Sequence, residues 1–110
     1  MPMTNVDSPP VVVRPPQLLD WHNIRAFRRE VLEQFAPGGV HVVLDLAGTG
    51  YVDSTALSAL VSLAKAARDA GGSLALANLN EDLVALLELT RLDEVLSVVE
   101  LAPDPEVRDA

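Results

Sequence analysis

Residues 40–57 read VHVVLDLAGTGYVDSTAL, and a change of pattern within them decides the fold. Residues 41–46 form a nearly continuous apolar run of strand length, which is typical of a strand covered on both faces of a parallel sheet. After a short connection that contains two glycines, apolar residues recur at helical spacing. We therefore predict a buried strand and then a helix that begins at Asp53 or Ser54 and faces the core with Leu57, Leu60, Val61, Ala64 and Ala67.

The segment upstream predicts an edge strand followed by a surface helix. Residues 11–14 are mostly β-branched, but the proline pairs on both sides lack backbone N–H donors and confine a strand here to a sheet edge. From Asp20 onward the apolar residues fall on one helical face, and residues 37–39 (PGG) end the helix. We expect Asp20 or Asn23 to cap this helix, which faces the core with Ile24, Phe27, Val31, Leu32 and Phe35.

The segment downstream repeats the alternation of strand and helix. Residues 73–78 (SLALAN) predict another buried strand, and Asn80 is placed to cap a third helix. This helix ends at residues 90–92, and residues 96–100 predict a last short strand. The alternation predicts an α/β domain of two or three layers with right-handed crossovers. The third helix is expected to face the core with Leu83, Leu86 and Leu87.

Length and composition allow one domain. The chain has 110 residues, of which 49% are apolar, and this is enough for a hydrophobic core that is stable without covalent cross-links. The absence of cysteine excludes disulfides, thiolate metal sites and cysteine nucleophiles. We predict a domain of residues 11–101 between a flexible lead, residues 1–10, and a flexible acidic tail, residues 102–110.

The charge balance limits the class of partner. Sixteen acidic against eight basic residues give a net charge of −8, which disfavours direct binding to nucleic acid and is compatible with docking onto a basic protein surface. No apolar run approaches the ~20 residues that span a bilayer, and residues 1–10 lack the features of a signal peptide. We therefore expect a cytoplasmic protein that does not insert directly into a membrane.

Three polar residues mark the predicted start of the second helix, namely Asp53, Ser54 and Thr55. One interpretation is a helix cap, because such side chains accept hydrogen bonds from the unpaired N–H groups of a first turn. The other is a modifiable hydroxyl, because a phosphate on Ser54 would face free N–H donors and the positive end of the helix dipole. The residues alone leave both interpretations open.

The sequence offers little support for an enzyme. Only His22 and His41 could act as an imidazole base for Ser54, and no nucleophile-elbow motif surrounds that serine. A hydrolase that uses Ser54 is therefore a weak alternative. The histidines lack metal-ligand spacing, and the glycines match neither the P-loop nor the dinucleotide fingerprint, so we expect no metal and no cofactor.

A phosphoaspartate receiver domain is also a small acidic α/β unit, with Asp45 or Asp53 as its candidate acceptor. It needs an acidic pair after its first strand and a late lysine. In this chain prolines follow the first strand, and Lys65 lies in the middle of a helix. The sequence therefore argues against this class.

Residues 40–99 resemble the STAS domain of anti-sigma factor antagonists. The resemblance rests on four stretches: VLDL as the central strand, YVDSTAL as the phosphorylation loop and helix start, AGG before the next strand, and LELTRLD near the end. Upstream, residues 11–14 and 18–20 look like the family's second strand and the Leu-Asp that follows it. The resemblance implies one STAS domain with a mixed, mostly parallel sheet of about four strands flanked by helices, and with shortened termini.

The resemblance also implies a function and its residues. Members bind, when unphosphorylated, an anti-sigma factor that is also a serine kinase; phosphorylation ends the binding, and a serine phosphatase restores it. The phosphoacceptor carries over to Ser54, with Thr55 and Ser58 left open as alternative acceptors. Asp20 matches a second acidic position near the same surface. The implied partner-binding residues are Asp20, Asp53, Thr55, Ala56 and Leu57, and a weak homodimer is a further expectation.

Two residues depart from the family pattern. Ala56 replaces a usual glycine, which narrows how closely a partner backbone can approach. Arg91 stands where glycine often follows the helix, and it bears a steric cost if that position is left-handed. Relatives with the same fold serve as scaffolds in stress-sensing assemblies or as subunits of ABC lipid transporters, and these remain the alternative functions.

Overall fold

A helix lies between each two successive strands of the main sheet in the described part of the chain, as the hydrophobic pattern predicts. The computed structural model describes residues 10–35 and 38–101, so almost all of the predicted lead and tail lie outside it. The elements are β1 (Val11–Val13), β2 (Leu18–Leu19), α1 (Ile24–Gln34), β3 (His41–Asp45), β4 (Tyr51–Val52), α2 (Ser54–Asp69), β5 (Ser73–Ala77), α3 (Glu81–Thr90), a 3₁₀ helix (Leu92–Glu94) and β6 (Ser97–Val98).

The main sheet has four strands in the order β1-β3-β5-β6, and each neighbouring pair is parallel. Val43 of β3 is level with Val12 of β1 and Ala75 of β5. β3 and β5 are the two inner strands, and β1 forms an edge, which confirms the prediction from the flanking prolines. The predicted α/β class with a mostly parallel sheet is therefore confirmed.

The core lies between the main sheet and the helices, where α2 packs against β5 and against α1. Along the order β1-β3-β5-β6 every crossover steps in the same direction, and right-handed crossovers of this kind are expected to place their helices on one side of the sheet. α2 supplies most of the buried helical residues, and Val61 and Leu86, predicted to face the core, are only half-buried. The buried cluster includes Phe27, Val31, Val42, Leu44, Leu60, Leu63, Leu74, Leu76, Leu83 and Leu87.

A second, two-stranded sheet was not predicted. β2 pairs with β4 in parallel, with Leu18 opposite Tyr51 and Leu19 opposite Val52. Strands of two residues carry no periodicity, so the hydrophobic pattern gives no signal for a strand at residues 18–19 or 51–52. This pair matters because it brings the loop after β2 beside the loop after β4.

The start of α1 differs from the prediction. The helix begins at Ile24, and neither expected side chain caps it. The Asn23 side chain instead accepts from the backbone N–H of Asp20 at 2.9 Å and donates to the carbonyl of Leu18 at 2.6 Å. Asn23 therefore closes the turn of residues 20–23 and is not available to the first turn of α1.

Asp45 ends β3 and holds the carboxyl edge of the main sheet together. Its carboxylate accepts from the Asn78 side chain at 2.8 Å, the Ala47 N–H at 3.0 Å and Arg14 Nε at 3.2 Å. The Asn78 hydrogen bond is the main cause that lowers the pKa of this carboxyl, with further lowering by Ala47 and Arg14 and an opposing effect of burial. Because the Arg14 side chain is 70% exposed, we assign the larger part of the stabilisation to the hydrogen bonds.

Two helices end at residues with positive φ. Gly71 follows α2 at φ 84°, a conformation that costs glycine little. Arg91 follows α3 at φ 64° and ψ 18°, so the position is left-handed and carries the steric cost expected for a residue with a Cβ. Its backbone N–H still closes the helix by donating to Glu88 and Leu87.

We expect Arg91→Gly to stabilise the protein by about 0.5–1 kcal/mol, because it removes a left-handed Cβ at the cost of a more flexible unfolded chain. Urea unfolding measures the change. The control is Arg68→Gly in the last turn of α2, where glycine should destabilise by about 1 kcal/mol. A loss of stability in Arg91→Gly would contradict the steric argument.

The Asp45 network predicts a dependence of stability on pH. Its pKa in the folded state is below the ordinary value of about 3.9, so folding favours the ionised form. The stabilisation is complete above about pH 5 and is lost as the pH falls through the folded-state pKa. Asp45→Asn should cost about 1–2 kcal/mol at pH 7, because it sets an amide donor against Arg14, and the difference from wild type should narrow in acid.

Urea unfolding from pH 7 to pH 3 checks this second prediction. Asp93→Asn is the charge-matched control, because Asp93 is exposed and lies outside the network. If the difference in free energy of unfolding between Asp45→Asn and wild type stays constant down to pH 3, the pH dependence does not come from Asp45.

Candidate functional site

The candidate site lies where β2 and β4 end side by side. Because these strands are parallel, their carboxyl ends meet at one edge, and the turn of residues 20–23 lies against the start of α2. The backbone N–H of Asp53 donates to the carbonyl of Leu19 at 3.1 Å. The buried Thr49 hydroxyl donates to the carbonyl of Pro16 at 3.0 Å. This bond joins the loop between β3 and β4 to the loop between β1 and β2.

Asp53 joins the two halves of this site. One carboxylate oxygen accepts from the Ala56 N–H at 2.8 Å and caps α2. The other accepts from the backbone N–H of Trp21 at 3.0 Å, across 32 residues of sequence. The cap interpretation of Asp53 is confirmed, and the second bond is a contact that the sequence did not predict.

Asp20 belongs to the same surface. Its carboxylate accepts from the His22 N–H at 3.0 Å, and its carbonyl accepts from the N–H groups of Asn23 and Ile24. The side chain is half-buried, so part of it remains open to a partner. The turn therefore holds Asp20 near Asp53 by backbone geometry, and its role in partner binding stays a prediction.

Ser54 and Thr55 are the first two residues of α2, and both are exposed. Within residues 10–35 and 38–101 neither hydroxyl has a hydrogen-bond partner. Asp53 caps the N–H of Ala56, which leaves the N–H groups of Ser54 and Thr55 at the positive end of the helix dipole. A phosphoryl group on Ser54 would therefore meet solvent and a favourable local field.

Two of the predicted partner-binding residues have side chains inside the core. Ala56 is 0% exposed and Leu57 is 6% exposed. They face the sheet because they occupy the inner side of α2 one turn before Leu60. In the unbound protein neither residue therefore offers much surface to a partner, and their role in partner binding stays a prediction.

Aromatic and apolar side chains surround the polar residues. Trp21 is 65% exposed, Tyr51 55% and Leu18 49%. The Trp21 ring stacks on the ring of His22, with centroids 4.0 Å apart. Sequence reasoning missed this cluster, although the position of Trp21 directly after the Leu-Asp pair was an available signal.

A groove between α1 and α2 opens beside Thr55. Its volume is about 520 Å³, and we call it the α1–α2 groove. The Arg28 guanidinium crosses part of it and donates to the Ser62 hydroxyl of α2 at 3.1 Å. Its lining includes Trp21, His22, Arg25, Arg28, Thr55 and Ala59.

The positions of the two histidines bear on the hydrolase alternative. His41 lies at the amino end of β3, where its Nδ1 is 2.7 Å from the Ser73 hydroxyl, and no hydrogen bond joins His22 or His41 to Ser54 in this part of the chain. The same residues hold no group of three His, Asp or Glu that could bind a metal. None of their helices is long and apolar enough to cross a bilayer.

Comparisons of the sequence with family models and with known proteins agree with each other. Residues 1–110 match the family model described as STAS domain. The chain is 36% identical over 70 residues to the anti-sigma-B factor antagonist of Bacillus subtilis, a match that covers 64% of each protein. It is 29% identical over 89 residues to a Thermotoga maritima protein provisionally named an anti-sigma factor antagonist, with 80% of this chain and 79% of that protein covered.

The fold comparison agrees. A crystal structure of the Thermotoga maritima protein superposes with a TM-score of 0.70 at 27% identity, over 83% of this chain and 80% of that chain. The structure of the Bacillus cell fate determinant SpoIIAA in its phosphorylated form superposes with a TM-score of 0.65 at 14% identity, over 87% and 86% of the two chains.

We expect Asp53→Ala to cost about 1–2 kcal/mol of stability, because it removes both the cap of α2 and the bond to Trp21. Asn80→Ala is the matched control, since Asn80 caps α3 through the N–H of Leu83 at 2.8 Å and has no bond to the turn of residues 20–23. Amide hydrogen exchange separates the two effects. Exchange at the Trp21 amide should accelerate in Asp53→Ala and stay unchanged in Asn80→Ala. Equal exchange in both variants would contradict the role of Asp53 in holding the turn of residues 20–23.

Proposed function

The chain belongs to the STAS domain family, and we propose that within it the protein acts as an anti-sigma factor antagonist. Two relatives named as such antagonists align with 64% and 80% of this chain, which supports the assignment. The observation that carries it is the exposed Ser54 hydroxyl at the start of α2, beside an Asp53 that organises the neighbouring turn. In this proposal the unphosphorylated protein binds an anti-sigma factor and thereby releases a sigma factor.

The switch is phosphorylation of Ser54 by the anti-sigma factor itself, acting as a serine kinase. The γ-phosphoryl group of ATP passes to the Ser54 oxygen, the bond to ADP breaks, and the hydroxyl proton is released. A serine phosphatase later hydrolyses the phosphoester. The Bacillus protein of the same fold exists in a phosphorylated form, so the fold tolerates a phosphoryl group.

Electrostatics explains how one phosphate ends the binding. It adds about −1.5 to −2 charge beside Asp53, on a chain that already carries −8. The first turn of α2 stabilises this charge locally, because its N–H groups and dipole point toward it. A partner surface pressed against the phosphate would strip water from it, and the added negative charge would repel any acidic group of the partner at that point. Release therefore needs no refolding.

The contact surface in this proposal consists of the side chains of Asp20, Asp53, Ser54 and Thr55, and the buried Ala56 and Leu57 support it from beneath the first turn of α2. The protein is a cytoplasmic binding module that is not an enzyme and needs no cofactor. It reaches nucleic acid or membrane only through partners, and any homodimer is weak.

We expect Ser54→Asp to leave the free energy of unfolding within about 1 kcal/mol of wild type, because the new carboxylate lies at a helix N-terminus. The same change should abolish binding of the anti-sigma factor. Wild type, Ser54→Asp and Ser58→Asp are used to capture partners from host lysate, and mass spectrometry identifies what each retains. Ser58 is exposed one turn later on α2, so it is the charge-matched control and should retain the partner.

The outcomes separate the functions. An ATP-binding serine kinase retained by wild type and Ser58→Asp but lost by Ser54→Asp supports the antagonist switch. Retention of an ABC ATPase or permease would contradict the antagonist function and support the transporter function. Unfolding of Ser54→Asp would contradict the argument that the helix N-terminus tolerates the charge.

A further inference from the structure

Two arginines of α1 line the α1–α2 groove, and neither forms an ion pair within the described residues. The one ion pair among the described residues is Arg14–Asp45, so neither Arg25 nor Arg28 is paired with a carboxylate there. Arg28 is held in place by its bond to Ser62, whereas Arg25 is exposed. Two of the eight basic residues of an acidic chain therefore face one groove.

The rim of the groove is an exposed aromatic platform. Trp21 is 65% exposed, yet its backbone is fixed by Asp53 and its ring is stacked on His22. A side chain that is already ordered loses less entropy when a partner covers it. Tryptophan and arginine are also the residues that most often carry the binding energy of an interface.

We propose that the α1–α2 groove docks an acidic, partly apolar segment of the anti-sigma factor. The segment's apolar side chain packs on Trp21 and His22, and its carboxylate binds between Arg25 and Arg28. Charge complementarity selects this occupant, because a basic segment would meet the two arginines. The inference rests on the proposed function and adds the chemistry of the segment that the partner must present.

The groove is continuous with the phosphorylation site. Thr55 lines it, and Ser54 is the adjacent residue at the start of the same helix. Asp53 holds Trp21 at its rim and also caps that helix. A phosphate on Ser54 therefore places negative charge next to an acidic occupant, and repulsion between the two expels the segment.

The test compares Arg25→Glu with Arg29→Glu on the same helix. Both residues are exposed, but only Arg25 lines the groove. The probe is the purified anti-sigma factor retained by wild type in the capture experiment, titrated by calorimetry. Arg25→Glu and Trp21→Ala should each weaken binding about tenfold or more, and Arg29→Glu should stay within about twofold of wild type.

A second measurement reports the groove directly. Trp21 is the only tryptophan of the chain, so biosynthetic 5-fluorotryptophan gives one ¹⁹F signal at the rim. The signal should shift when the anti-sigma factor binds and should not respond to the concentration of the protein alone. A shift on self-association would make a second copy the occupant and overturn the proposal. Thermal unfolding of each variant confirms that it is folded.

Failure of this inference is distinguishable from failure of the proposed function. If Ser54→Asp abolishes binding while Arg25→Glu and Trp21→Ala bind like wild type, the groove proposal is overturned and the antagonist function stands. If wild type retains no anti-sigma factor, the function fails and the groove proposal fails with it.

Discussion

The two hydrogen bonds of the Asp53 carboxylate hold the functional surface in place. With one oxygen on the N–H of Ala56 and the other on the N–H of Trp21, this side chain both starts α2 and anchors the turn that precedes α1. A carboxylate has two acceptor oxygens and can serve two donors at once, which a serine or threonine cap does less well. The first bond fixes the helix start at Ser54, and the second holds the backbone of Trp21 beside it.

A second carboxylate has a purely structural task. Asp45 is 6% exposed and uses both oxygens to join Asn78, Ala47 and Arg14 across the end of the main sheet. Asp53 is more exposed and lies beside a free hydroxyl. The two aspartates lie at the ends of β3 and β4, which belong to different sheets, and they differ in role because their surroundings differ. Protein donors satisfy the buried carboxylate, whereas the other borders open surface.

The proposed switch requires little movement. The helix N-terminus stabilises a phosphate on Ser54, and the same phosphate repels an acidic partner segment. Stability and binding therefore respond to one charge in opposite directions. A switch without refolding suits this domain, because α2 contributes both the first turn at the site and the buried core residues Leu60 and Leu63.

The sequence by itself determined the local features: strands and helices from their hydrophobic periods, the caps of α2 and α3 from Asp53 and Asn80, and the strained position of Arg91. These depend on neighbours within a few residues, so pattern and propensity predict them. Only the tertiary structure decided the β2–β4 pair, the bond from Trp21 to Asp53 and the α1–α2 groove. Each joins segments about 30 residues apart, and no local preference encodes such a contact until the core has packed.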